Sequence, residues 1–215
     1  MKRHTWSDIK ARTTPEVRTR IEAETRRLSE GSPMDANAET STNANGKNVG
    51  QPVFAYGSNM CRGRLLDYNV HPEGPGQPAQ LRGYVLRLNK VGRKGGRRSG
   101  KGNIEQRPAE TVWGVLYTIP DHELTVLDAG EGAGYQRVRL RVESAGGPVD
   151  AWVHVAKKPS NDPDLRPYGW YKRFIVEGAR SHGLPAEYIA KLEAIEAIDD
   201  PDQEWDRNRR SLTCD

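Results

Sequence analysis

Apolar and polar residues alternate in two stretches of the second half of the chain, residues 135–142 (YQRVRLRV) and 149–155 (VDAWVHV). A period of two is typical of β-strands that bury one face. The sequence AGGP at 145–148 favours a tight turn, so these two strands are expected to pair as a hairpin. Two further strands are predicted at 81–91, which alternates, and at 111–119 (TVWGVLYTI), a β-branched and aromatic run.

A short buried strand is predicted at 53–56 (VFAY), and Gly57 stops it. The other ordered segments show helical spacing and the residues that begin and end helices. Helices are predicted at residues 60–68, 121–127, 169–182 and 185–198. Because the short strands and the helices do not alternate as βαβ units, the pattern indicates the α+β class.

The chain divides into segments of different composition. Residues 1–30 are polar and helix-forming with a thin apolar stripe, which predicts a helix that docks on a partner protein or frays. Residues 31–51 are small and polar without periodicity, as is typical of a flexible linker. The folded domain is predicted at 52–200, and the charged tail at 201–215 is expected to be loose.

Composition narrows the class of protein. The net charge of +4 permits an acidic ligand but does not require nucleic acid. No apolar run approaches the roughly 18 residues of a membrane span, so no membrane contact is expected. Cys61 and Cys214 are too few for a disulfide scaffold, which predicts a reducing cytoplasm. The five histidines are scattered and none pairs with a cysteine at metal-ligand spacing, so no metal site is expected.

The segment FAYGSNM at 54–60 is the first candidate for chemistry. A strand enters a glycine turn there, and a helix is predicted to follow. Gly57 is able to adopt a positive φ, and Ser58 or Asn59 is able to cap the helix. The unpaired backbone N–H groups of such a turn bind anions. The alternative interpretation is a capped turn beside a buried Tyr56 with no ligand.

The segment LDAGEGAGY at 127–135 is the second candidate, because a single acid, Glu131, is surrounded by small residues. Small neighbours leave room for a ligand, and a carboxylate near it is able to act as a base. The alternative is an exposed acid on a flexible loop. A further segment, YGWYKR at 168–173, places aromatic residues at a helix start, where they either pack or form the wall of a pocket.

A basic, glycine-rich stretch at 82–107 is the third candidate, with nine Lys or Arg residues and one acid. Residues 95–101 nearly fit a phosphate-binding loop, but Gly102 stands where the magnesium-binding hydroxyl is needed. No aromatic residue lies between 92 and 107 to stack on bases, so nucleic acid is not expected to bind. A solvated hairpin loop that guides an acidic substrate is the favoured interpretation.

Taken in order, these segments resemble the gamma-glutamylcyclotransferase family of the AIG2-like superfamily. The resemblance extends from Pro52 to about Ile198. The similar segments are FAYGSNM at 54–60, TVWGVLY at 111–117, LDAGEG at 127–132 and YKRFIVEGARSHGLPAEYIAKLEAI at 171–195. Each segment is moderately specific, and four in the same order favour the family over the simpler interpretations given above.

The resemblance implies a small mixed β-barrel with flanking helices and an internal cavity. It implies a cofactor-independent enzyme that cyclises the γ-glutamyl group of a γ-glutamyl compound and releases 5-oxoproline and a free amine. By motif position, Glu131 would be the catalytic acid/base. The implied substrate-binding residues are Val53, Phe54, Ala55, Tyr56, Gly57, Ser58, Asn59, Tyr135 and Tyr171.

Two features depart from the family pattern: the short spacing from Glu131 to Tyr135 and the basic stretch at 82–107. Both features concern recognition of the leaving group and not of the γ-glutamyl end. The substrate is therefore left open among γ-glutamyl amino acids, γ-glutamylamines and specialised γ-glutamyl conjugates. The alternative function is a non-catalytic binding or regulatory module that uses residues 92–107 to bind an anionic partner.

Overall fold

The computed structural model describes residues 50–94 and 97–214. The helix expected at 1–30, with its possible partner protein, lies outside the described residues, and so does nearly all of the linker expected at 31–51. Both remain predictions. None of the helices within the described ranges is long and apolar enough to cross a membrane.

Five strands form a closed barrel in the spatial order β1-β3-β2-β4-β5. They are β1 (Gln51–Ala55), β2 (Glu73–Lys94), β3 (Arg97–Ile119), β4 (Tyr135–Ser144) and β5 (Gly147–Ala156). Strand β1 closes the barrel because it pairs antiparallel with β3 and parallel with β5, at Val53 and Trp152. The hairpin expected around residues 145–148 is present. The expected α+β fold with a small mixed barrel is confirmed.

Alternate residues of the strands face two different cores, as the period of two predicts. One core lies inside the barrel and takes side chains from all five strands, among them Phe54, Ala79, Leu116, Val142 and Val153. The other core lies between the barrel and the helices. Strand β1 is therefore buried on both faces, which places the loop that follows it inside the protein.

Within residues 50–94 and 97–214, five helices flank the barrel. They are α1 (Arg62–Asp67), α2 (Leu124–Glu131), α3 (Gly169–Ser181), α4 (Ala186–Glu193) and α5 (Gln203–Arg210). Short 3-10 turns precede α1 at Ser58–Met60 and α2 at Asp121–Glu123. Helix α2 extends four residues beyond the predicted end at 127, so Glu131 ends a helix instead of lying on a loop.

The basic stretch is not a solvated loop, and that expectation is wrong. Strands β2 and β3 pair with each other as far as Lys94 and Arg97. Three side chains of the stretch, Ser99, Asn103 and Ile104, are buried. The polar and glycine-rich sequence of this extended hairpin lacks the alternation that predicts a strand. The stability of the hairpin depends on cross-strand partners, which a local pattern does not show.

The C-terminal tail is ordered instead of loose. Helix α5 packs near α3, and the Arg173 guanidinium donates to the carbonyl oxygens of Arg209 and Leu212, both at 2.9 Å. Cys61 and Cys214 form a disulfide. The prediction of a reducing cytoplasm rested on the small number of cysteines, so it loses its support from cysteine usage.

Candidate active site

The loop after β1 forms the floor of a cavity. The chain turns at Gly57 and makes one 3-10 turn, in which the Met60 N–H donates to the Gly57 carbonyl oxygen at 3.1 Å. Gly57 does not adopt the positive φ that glycine permits, since its φ is −118°. The first N–H groups of such a turn have no partner within it. Those of Ser58 and Asn59 are therefore available to an acceptor, while both side chains are buried.

Glu131 reaches this loop from the end of α2. The Asn59 side-chain amide donates to a carboxylate oxygen of Glu131, and the Glu131 side chain is half-buried. The adjacent Gly132 has a φ of 81°, a conformation that favours glycine and ends the helix. The alternative of an exposed acid on a flexible loop therefore does not describe Glu131.

The contact with Glu131 also orients the Asn59 amide. A carboxylate only accepts hydrogen bonds, so the amide nitrogen of Asn59 must face Glu131. The side-chain oxygen of Asn59, Oδ1, is then left buried, and it has no hydrogen-bond partner among the described residues. A buried acceptor without a donor is costly unless a ligand supplies one.

Two tyrosine hydroxyls bond to the backbone of one residue of β3, Gly102. The Gly102 N–H donates to the Tyr171 hydroxyl oxygen at 2.8 Å, and the Tyr135 hydroxyl donates to the Gly102 carbonyl oxygen at 2.7 Å. A Cβ atom at Gly102 would lie 3.2 Å from the Tyr171 hydroxyl oxygen and 3.5 Å from the Tyr56 ring. Glycine at this position thus permits the close approach of β3 to the loop.

His154 of β5 connects α2 to the barrel. Its Nε2 lies 2.8 Å from a carboxylate oxygen of Asp128, one helical turn before Glu131. The carbonyl oxygen of His154 accepts a hydrogen bond from the Tyr56 hydroxyl. These contacts fix the helix end that carries Glu131 and the loop that faces it.

Burial keeps the tyrosines protonated. It raises the pKa of Tyr56 and of Tyr135 well above the ordinary value, and the negative charge of Glu131 raises both further. Burial also raises the pKa of Tyr171 to about 12, although the N–H of Gly102 opposes the shift. At neutral pH these hydroxyls are donors, and Glu131 is the carboxyl group that faces the same cavity.

All ten residues that the sequence analysis assigned to the site line one cavity of about 480 Å³ of empty space. They are Val53, Phe54, Ala55, Tyr56, Gly57, Ser58, Asn59, Glu131, Tyr135 and Tyr171. The sequence analysis missed the other lining residues. These are Leu65, Gly102, Tyr117, Ile119, Leu127 and His154. Four of the six are apolar wall residues with the same pattern as ordinary core positions, so no local signal singles them out.

A second cavity of about 930 Å³ of empty space opens beside the first. The two share Ser58, Glu131, Tyr135 and Tyr171. Its other walls are largely aromatic and basic. They include Arg64, Tyr68, Lys90, Lys101, Tyr168, Trp170 and Trp205. Glu131 therefore lies where a smaller, more enclosed space meets a larger, positively charged one.

The geometry agrees with comparisons to known proteins. Residues 111–192 match the AIG2-like family. Mouse gamma-glutamylcyclotransferase is 31% identical over 153 residues, which are 66% of this chain and 77% of the mouse protein. The human enzyme is 31% identical over 159 residues, 68% of this chain and 79% of its own length. The chain belongs to the gamma-glutamylcyclotransferase family.

Solved structures of gamma-glutamylcyclotransferase folds support the assignment. A structure of a gamma-glutamyl cyclotransferase has a TM-score of 0.63 at 26% identity and covers 74% of this chain and 98% of its own. A human protein has a TM-score of 0.62 at 27% identity, with 75% and 98% covered. As a gamma-glutamylcyclotransferase family member, the chain is an enzyme, which sets aside the alternative of a binding module without turnover.

Proposed function

We propose that this enzyme cyclises the γ-glutamyl group of a γ-glutamyl amine, amino acid or conjugate, and releases 5-oxoproline and a free amine. The observation that carries the proposal is Glu131, held by Asn59 against the loop at 56–58 in a largely buried cavity. The names of the relatives support the reaction class. No cofactor is part of the proposal.

The cavity offers each polar group of a γ-glutamyl unit a complementary partner. An α-ammonium has three donors, and Glu131 and the unpartnered carbonyl oxygen of Asn59 are adjacent acceptors. The α-carboxylate or the γ-carbonyl oxygen needs donors, which the N–H groups of Ser58 and Asn59 supply. Apolar walls from Phe54, Leu65 and Ile119 surround the methylene groups.

The reaction requires little more than folding of the substrate and transfer of protons. Both reacting groups belong to the same molecule, so their proximity is largely built in. The α-ammonium cannot attack until it loses a proton, which Glu131 accepts. The nitrogen then attacks the γ-carbonyl carbon, a five-membered ring forms, and the bond to the departing nitrogen breaks. The α-nitrogen begins with three hydrogens and keeps one of them in the ring. Glu131 transfers the other two, as protons, to the departing nitrogen, which leaves as an ammonium.

Negative charge develops on the γ-carbonyl oxygen as the ring closes. Backbone N–H groups that are already oriented stabilise such an oxygen without reorganising, and loss of one such donor typically costs about 2.7–4 kcal/mol. Ser58 and Asn59 line the cavity, and the first N–H groups of their turn have no partner within it. We assign this role to the backbone N–H groups of Ser58 and Asn59.

The experiment that tests the proposal is a screen of γ-glutamyl compounds with 5-oxoproline as the readout. The set should contain γ-glutamyl amino acids, γ-glutamylamines and acidic γ-glutamyl conjugates. We expect at least one class to be turned over without added metal or cofactor. If the folded protein releases no 5-oxoproline from any class, the proposal is wrong.

Gly102→Ala is expected to lower kcat/KM for the preferred γ-glutamyl compound by about tenfold, because the Tyr171 hydroxyl must move by a few tenths of an ångström and a misplacement of about 1 Å costs about 100-fold. The added methyl group would lie 3.2 Å from the Tyr171 hydroxyl oxygen and would push it from its place. Gly146→Ala is the matched control, since its nearest neighbour would be the Ser144 hydroxyl at 3.8 Å. Equal kcat/KM values in both variants would contradict this role of Gly102.

A further inference from the structure

Two lysines lie directly opposite each other in the barrel wall beside Glu131. Lys90 of β2 pairs in register with Lys101 of β3, and both line the second cavity. Like charges in directly opposite positions destabilise a strand pair. The lysine pair therefore lowers the stability of the hairpin. Residues that lower the stability of the fold in this way are typical of functional sites.

Glycines make room for both lysine side chains. A Cβ atom at Gly92 would lie 2.8 Å from the Lys101 Cε atom, and a Cβ atom at Gly134 would lie 2.9 Å from the Lys90 Cε atom. A larger residue at either position would displace the lysine beside it. The two ammonium groups are consequently held along the wall of the cavity instead of turning out into solvent.

Neither ammonium group has an anionic partner within the part of the chain that the structure describes. The Lys101 Nζ atom lies 4.1 Å from the ring centroids of both Trp170 and Tyr171, and the Lys90 Nζ atom lies 4.9 Å from that of Tyr135. Aromatic faces attract a cation but do not neutralise it. Neither lysine therefore forms an ion pair there, although the charge of Glu131 acts on Lys90 and that of Asp200 acts on Lys101.

The acidic residues nearby are already engaged. Asp200, which lines the same cavity, accepts hydrogen bonds from the Trp170 indole N–H at 2.8 Å and from the Asp202 N–H at 3.0 Å. Asp67 pairs with the guanidinium groups of Arg64 and Arg209. Glu131, which lines the same cavity, accepts the hydrogen bond from the Asn59 amide. Among the described residues no carboxylate is thus left to form an ion pair with either ammonium, and an anionic ligand would supply that pairing.

We propose that Lys90 and Lys101 bind a dianionic group on the leaving amine of the substrate, either a phosphate monoester or a pair of carboxylates. This inference rests on the proposed function. The γ-glutamyl group occupies the first cavity, so the amine that it loses lies across Glu131 in the second. Two ammonium groups match two negative charges, and the aromatic walls contact the carbon skeleton between them.

Binding of a dianion by the two lysines should weaken as the pH rises. Burial lowers the pKa of Lys101 to about 7, and the positive charges of Arg64, Lys90 and Arg209 add to the shift while Asp200 opposes it. The titratable hydroxyls that face the ammonium are those of Tyr168 and Tyr171. Lys101 carries its charge below this pKa, so affinity for a dianion should fall as pH rises from 6 to 8.5.

The test compares γ-glutamyl compounds whose leaving amines differ in charge. The γ-glutamyl conjugates of 2-aminoethyl phosphate and of aspartate represent the two dianion types, and that of ethanolamine is the neutral reference. We expect kcat/KM for at least one dianion to exceed the neutral value by about 10- to 100-fold, as expected of charge-assisted hydrogen bonds. The aspartate-to-ethanolamine ratio should fall with rising pH, because the aspartate carboxylates stay ionised from pH 6 to 8.5.

Lys90→Met and Lys101→Met identify the residues responsible. Each keeps an apolar stem and removes one ammonium, so the dianion-to-neutral ratio should fall toward one. Lys101→Met should also raise the unfolding midpoint, because a buried repulsive pair is relieved, and this result separates binding from a structural role. Lys158→Met, an exposed lysine outside the cavity, is the matched control and should keep the wild-type ratio.

The outcomes separate this inference from the proposed function. A wild-type ratio near one in an enzyme that releases 5-oxoproline overturns the lysine site and leaves the cyclisation intact. A preference that survives both lysine variants overturns the assignment to these residues. No 5-oxoproline from any compound overturns the proposed function and this inference with it.

Discussion

Glu131→Gln is expected to lower kcat for 5-oxoproline release by about 10²–10⁴-fold, the usual contribution of a general acid/base. Glutamine has the same shape, and its carbonyl oxygen is still able to accept the hydrogen bond from Asn59. It cannot take a proton from the α-ammonium at neutral pH. The loss should therefore appear in kcat measured with saturating γ-glutamyl substrate, while the unfolding midpoint stays close to that of the wild type.

The matched control for this substitution is Glu196→Gln. The Glu196 side chain is 80% exposed and pairs with Arg166 on the surface. Glu196→Gln therefore makes the same chemical change as Glu131→Gln, but outside the cavity. We expect wild-type kcat from this control. Glu131→Gln with undiminished kcat would remove Glu131 from the reaction, and another group would have to accept the proton.

Reduction of the disulfide is expected to lower the free energy of unfolding by about 2–5 kcal/mol, as is typical when a native disulfide is lost. Cys61 and Cys214 are separated by 153 residues, so the bond closes nearly the whole described domain into one loop. Loops of this length lose much conformational entropy on closure. The measurement is urea unfolding of the wild type with and without reductant, with alkylation and mass spectrometry to count free thiols.

The control for reduction is Cys214→Ser. This variant has no disulfide, so reductant should not change its unfolding curve, and its stability should match that of the reduced wild type. Helix α5 carries Trp205, a wall residue of the second cavity, and the disulfide anchors the chain four residues after this helix. If the wild type unfolds identically with and without reductant, the bond does not stabilise the fold.

Local patterns predicted most of the elements because burial follows the period of the chain. The alternation at 135–142 and 149–155 corresponds to β4 and β5, and the helix predicted at 169–182 ends one residue earlier. The prediction was wrong in the basic stretch at 82–107, where glycines and charges replace the alternating pattern. There the strands are held by their partners across the barrel, which are distant from any local window.

Counting the strand register from the sequence would have placed the two lysines opposite each other. Gly95-Gly96 is a signal for a tight hairpin, and pairing counted outward from it places Lys90 opposite Lys101. Gly102 and His154 carried no comparable signal. Their roles depend on contacts with Tyr171 and with Asp128, 69 and 26 residues away in the chain.

The sequence by itself determined the family, through the ordered segments at 54–60, 111–117, 127–132 and 171–195, and ten of the sixteen residues that line the first cavity. Only the tertiary structure decided that Glu131 contacts Asn59, that Gly102 joins two tyrosines, and that the tail is tied back by a disulfide. The physical reason is distance along the chain. Closing a barrel brings remote residues into contact, and a pattern of neighbouring residues does not encode which remote residues will meet.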